Sequence, residues 1–102
     1  MKYTKLGENI FKLEDPLDEK YKELKTFIHD FVETKDFDRV NIGLSLMFRL
    51  SMMELVVNDF ISLHRSVLKD NVPISITINL DGRIFTITVG YYNGELLYNL
   101  DT

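Results

Sequence analysis

The chain has 102 residues, of which 45% are hydrophobic and 27% charged, with a net charge of −4 and no cysteine. That length gives one domain, 1–102, with enough apolar content for a core without staples, and the missing thiols exclude disulfides and thiolate metal sites. Lys and Arg are outnumbered 7 to 10 over residues 1–38 and 1 to 3 over 73–102, and exceed Asp and Glu only 4 to 3 over 39–72; no basic stripe tracks phosphates, which argues against direct nucleic-acid binding.

From the start of the chain, Lys2 to Leu13 reads as an N-terminal hairpin within 1–14, turning at Gly7-Glu8-Asn9. Charges run through this stretch and no apolar block of a secretory signal is present, so the expected compartment is the cytoplasm. Asp15-Pro16 then opens a helix, A, over 15–34. Asp15 can cap it, Pro16 suits its first position, and Asp18 and Glu19 favour the positive end of the dipole. Leu17, Tyr21, Leu24, Ile28 and Phe31 follow as one apolar stripe.

Asp30, Glu33, Asp36 and Asp38 cluster around the end of helix A with Lys35 alone opposing them. Negative charge there opposes the helix dipole, which suggests carboxylates presented to a basic protein surface, as a nucleic-acid decoy would present them. The alternative is an ordinary solvated surface. The spacing lacks the central Gly and closing Glu of a calcium loop.

A long helix, B, is expected over 37–69, with a seam of Ile42, Leu46, Arg49, Met53, Val56, Phe60, Leu63 and Val67. Leu44, Met47, Phe48, Met52 and Leu55 give its first half a second apolar side, which calls for a second packing partner. From Leu44 to Leu63, 13 of 20 residues are apolar, but Arg49, Glu54 and Asp59 interrupt them, so no membrane span is read here. Arg49 in a seam is costly unless paired. Either its stem packs while its head snorkels to Glu33, Asp36 or Asp38 near the helix connection, or it sets register at a dimer seam. His29 and His64 have neither a cysteine partner nor a second histidine one turn away, so zinc has no support.

The last third, 73–100, is the most legible. Asp81-Gly82 and Asn93-Gly94 each sit between alternating apolar runs, the pattern of two-residue type I′ hairpins. Such turns fix the register. Ile78 faces Phe85, Ile76 faces Ile87 and Ile74 faces Val89; across the second turn Tyr91 faces Leu96, Val89 faces Tyr98 and Ile87 faces Leu100. These residues form one apolar face that must rest on helices. The opposite face holds Ser75, Thr77, Asn79, Ile84, Thr86, Thr88, Gly90, Tyr92, Leu97 and Asn99, with Glu95 as its only charge. Solvent-facing strands usually carry Lys and Glu, so this face is expected to be covered by the N-terminal hairpin, a second copy or a partner, unless Thr stands there for its β-propensity alone. Its last strand could also accept another strand along its edge.

The fold class expected is α+β: two helices, the second long, packed on a three-stranded antiparallel meander, with the N-terminal hairpin beside them. No catalytic, cofactor or metal motif is present. The function expected is a small non-enzymatic protein-binding module, an inhibitor or adaptor. It would be homodimeric and use Asp30, Glu33, Asp36 and Asp38, or the face marked by Thr77, Ile84, Thr86, Thr88, Tyr92 and Leu97. One alternative is a small-ligand site or minor enzyme lined by Tyr91, Tyr98, Phe60 and Arg49, where the guanidinium could meet an anion. Another is a structural subunit of a larger assembly.

Overall fold

A computed structural model of the chain describes residues 1–15, 17, 19, 22, 23, 26, 37–80 and 82–101, and for 37–48 the description is of the backbone. Two strands open the fold, β1 (Tyr3–Gly7) and β2 (Ile10–Leu13). The helix α1 (Phe37–His64) follows and closes in a 3₁₀ turn, Arg65–Val67. Three strands complete it: β3 (Ile74–Leu80), β4 (Arg83–Tyr92) and β5 (Glu95–Asp101).

The five strands make one mixed sheet in the order β1-β2-β3-β4-β5. Neighbours are antiparallel except β2 and β3, which run parallel. This corrects the expected architecture. In place of two helices on a three-stranded meander, the described residues form a five-stranded sheet with one delimited helix. Most of expected helix A, 15–34, lies outside the described residues; of those described, Glu19, Lys22, Glu23 and Thr26 have helical backbone.

The hairpin joins the sheet because its own alternation matches that of β3. Phe11 and Leu13 point inward and are buried, while Ile10 and Lys12 point the other way and are exposed. Pairing Phe11 with Ile76 therefore extends an existing apolar row, which runs Phe11, Ile76, Ile87, Leu100 across four strands. Joining parallel strands needs a long crossover, and the chain between β2 and β3, which includes α1, supplies it. The backbone N–H of Ser75 donates to the carbonyl of Asn9 at 2.9 Å, and that of Glu14 to the carbonyl of Lys2 at 2.8 Å. Asp15, expected to cap a helix, accepts the backbone N–H of Lys2.

Within the meander the register is the one the two turns dictate: Ile78 faces Phe85, Ile76 faces Ile87, and Val89 faces both Ile74 and Tyr98. Asn93 and Gly94 have φ of 54° and 81°, as a type I′ turn requires, and Gly82 has φ 82°.

Among the described side chains of α1, Met52, Met53, Val56, Val57 and Phe60 are buried, packed on Ile74, Ile76, Ile78, Ile87 and Val89. The seam expected for helix B is thereby corrected. Arg49 and Leu63, two of its members, are both exposed, and the buried stripe is turned toward Val57. A helix resting on one sheet follows spacings of one, four and eight residues rather than the heptad of a helix pair.

Candidate interaction surface

Every strand has one side turned to α1 and one turned away, and the outer side is continuous across the whole sheet. One cross-strand row reads Thr4, Lys12, Thr77, Thr86, Asp101 over all five strands. The next reads Ile10, Ser75, Thr88, Asn99 over four. The covering expected of the N-terminal hairpin is absent, because that hairpin lies in the plane of the sheet. It enlarges the outer face instead.

Of the residues singled out on this face, Thr77, Thr86, Thr88 and Tyr92 are half-buried. Ile84 and Leu97 are 67% and 51% exposed, and Ile10, which sequence reasoning did not place there, is 48% exposed. Thr77 and Thr86 are direct cross-strand neighbours, an arrangement that favours side-chain pairing on the sheet surface. The result is a neutral floor edged by large aliphatic side chains. Its charges are few: Lys12 on β2, between Thr4 and Thr77, with Glu95 and Asp101 at the two ends of β5. Two of these, Lys12 and Asp101, amend the expectation of a single charge. The signal for Lys12 and Ile10 was available in the inside-outside alternation of Ile10-Phe11-Lys12-Leu13.

Gly90 shows how closely the chain crosses this face. A Cβ built there would lie 3.3 Å from the Tyr92 ring, 3.4 Å from the Pro73 Cα and 3.5 Å from the Val72 carbonyl oxygen. The one tight approach is to the Tyr92 ring, which would have to give by a few tenths of an ångström; the two backbone neighbours stand at ordinary van der Waals contact. The adjoining turn is held by the Asn71 N–H, which donates to the Tyr91 carbonyl at 2.8 Å.

Asp30, Glu33 and Asp36 lie outside the described residues, and Asp38 belongs to the first turn of α1. The Arg49 side chain is exposed, so its charge meets water and the burial cost that motivated a paired seam does not arise. Phe60 is fully buried and lies eleven residues along α1 from the exposed Arg49, about 16 Å at the helical rise, while Tyr91 and Tyr98 are half-buried. Among the described residues no group of three or more His, Cys, Asp or Glu could hold a metal ion, and no described helix is long and apolar enough to cross a membrane.

A feature that sequence reasoning missed lies on the helix side of the hairpin. Tyr3 and Phe11 meet Phe60 edge-on at ring distances of 5.2 and 5.0 Å, and His64 lies 4.9 Å from Phe60. The Tyr3 hydroxyl donates to the Val56 carbonyl at 3.1 Å. Burial first, and then the neighbouring Asp59 carboxylate, hold this phenol protonated well above its ordinary range. Asp59 also lies 3.5 Å from the Met1 amino group. The aromatic members of this cluster clamp the hairpin to the helix. The signal for it is long-range, joining the hairpin to the last turns of α1.

Comparison with protein-family models, with curated proteins and with solved structures finds no match. The outer face is therefore read from its own chemistry.

Proposed function

We propose that this chain is a protein-binding module whose docking surface is the outer face of the five-stranded sheet. The observation that carries the reading is the open exposure of Ile84 and Leu97 beside a nearly uncharged threonine floor. A sheet face turned to water ordinarily carries interspersed Lys and Glu. A partner that covers this one loses little in stripping water from charges and gains the burial of Ile10, Ile84 and Leu97. At roughly 25 cal/mol per Å² of apolar area removed from water, those side chains supply the centre of a modest interface, with threonine hydroxyls satisfying polar groups around them. Lys12 and Asp101 lie on opposite sides of the face and so fix the orientation of a partner rather than its affinity.

A photo-reactive benzophenone residue in place of Thr86, with the same residue in place of the exposed Glu54 on α1 as control, tests this in cells that make the protein. Discrete protein adducts from the Thr86 position and none from the Glu54 position are the expected result. Adducts at neither position, or equally at both, would remove the outer face as a docking surface.

A further inference from the structure

The two edges of the sheet are built differently. β1 is five residues long, carries Lys5, and shifts register between Lys5 and Gly7. Shortness, lysine and a bulge are the devices by which sheets refuse further strands. β5 has none of them. It runs for seven residues, Glu95–Asp101, in unbroken register with β4, and contains no lysine, arginine, proline or glycine. Its only charges are the first and last residues.

The hydrogen-bonding direction of each β5 residue follows from the turn. Tyr92 and Glu95 flank a two-residue loop and form the first hydrogen-bonded pair, so Glu95, Leu97, Asn99 and Asp101 bond toward β4. The position opposite Leu96 agrees: the Tyr91 carbonyl is turned away from β5 and accepts the Asn71 N–H. The N–H and C=O groups of Leu96, Tyr98 and Leu100 consequently point outward along the edge, which no strand of the described residues pairs with. The side chains of these three face the α1 side of the sheet and are only half-buried there, while Leu97 stands exposed on the outer side.

From these features we infer that β5 pairs antiparallel with β5 of a second copy of this chain, about a two-fold axis through Leu97, joining two sheets into one of ten strands. A two-fold axis perpendicular to the sheet pairs only residues of the same face, which leaves few registers. With Leu97 on the axis, it meets the partner's Leu97, Leu96 meets the partner's Tyr98, and Glu95 meets the partner's Asn99. Moving the axis to Tyr98 sets Glu95 against the partner's Asp101, twice over, and like charges directly opposite are destabilising. Moving it to Leu96 or Asn99 sets Leu97 against the partner's Glu95 or the partner's Asp101. Only the Leu97 axis pairs apolar with apolar and keeps the carboxylates apart. The interface is a single strand pair with its flanking side chains, a size that gives a concentration-dependent rather than a permanent dimer. The inference stands on the edge alone and does not require the outer face to bind anything.

Light scattering on a sizing column tests it, with cross-linking as a second readout. The wild-type mass is expected to rise with concentration from 12.0 kDa toward twice that value. Leu97→Lys, at an exposed position that leaves the fold intact by circular dichroism, is expected to remain monomeric throughout. The chain has no cysteine, so a single introduced thiol reports geometry directly. Leu97→Cys places two thiols across a non-hydrogen-bonded pair, where Cα atoms stand about 4.5 Å apart, within disulfide reach. Mild oxidation should cross-link it and should not cross-link Asp101→Cys. A wild-type mass fixed at the monomer value overturns the inference. So does a dimer that survives Leu97→Lys and is lost in Thr86→Lys, because that dimer stacks the outer faces. Adducts of other proteins at position 86 from a monomeric chain would refute the edge pairing while supporting the docking face.

Discussion

Replacing Phe60 by alanine is expected to lower stability by about 3–5 kcal/mol, the usual cost of emptying a buried phenylalanine site. The residue is fully buried and stands where three elements meet: Tyr3 of β1, Phe11 of β2 and His64 at the end of α1 all contact its ring. A cavity at such a junction collapses poorly, because β2 is held to β3 and α1 to the strands on either side. Against a typical total of roughly 5–15 kcal/mol, that loss removes a large share of the stability. In urea the midpoint should fall by at least about 1 M. Phe60→Leu, which keeps most of the volume, should lose much less. A shift for Phe60→Ala equivalent to under about 1 kcal/mol would mean that the ring is not in the core.

Phe11→Ala distinguishes the five-stranded sheet from a three-stranded meander with a peripheral hairpin. Phe11 is buried, pairs with Ile76 in the parallel register, and meets the Phe60 ring at 5.0 Å. The expected cost is again about 3–5 kcal/mol, read from the same urea transition. The double variant with Phe60→Ala should cost less than the sum of the singles by about 0.5–1.5 kcal/mol, the coupling of an edge-to-face ring pair. A hairpin lying loosely beside the domain would show a loss of a few tenths and strict additivity.

These two phenylalanines also mark where the amino-acid sequence stops being legible. The pairing of β3, β4 and β5 follows from Asn93-Gly94 and Asp81-Gly82, since a two-residue turn leaves one register and a strand has only two faces. The parallel pairing of β2 with β3 has no such local mark. Its partners, Phe11 and Ile76, are separated by the whole crossover, and β2 has just four residues in which to show alternation. The helix misled for a different reason. Leucines and methionines dense enough to fill a heptad seam also fill a sheet-facing stripe, and only the position of the sheet decides that Met52 and Val57 are buried while Arg49 and Leu63 are exposed. The outer face was legible as a composition, in Thr77, Thr86 and Thr88, because charge is conspicuous by its scarcity there. Its openness was not, since that depends on the hairpin choosing the sheet edge over the sheet surface. The acidic residues Asp30, Glu33 and Asp36 lie outside the described residues, and their grouping with Asp38 rests on the sequence.

An uncovered outer face is the premise of the functional reading, and the paramagnetic relaxation that a soluble gadolinium chelate induces in the isoleucine methyl groups measures it directly. Ile10 and Ile84, near opposite margins of the face and away from the β5 edge, should relax strongly, while Ile76 and Ile87 beneath α1 should be almost untouched. Equal protection of Ile84 and Ile76 would contradict the account, because some other part of the chain would then lie over the face and the docking surface would not exist.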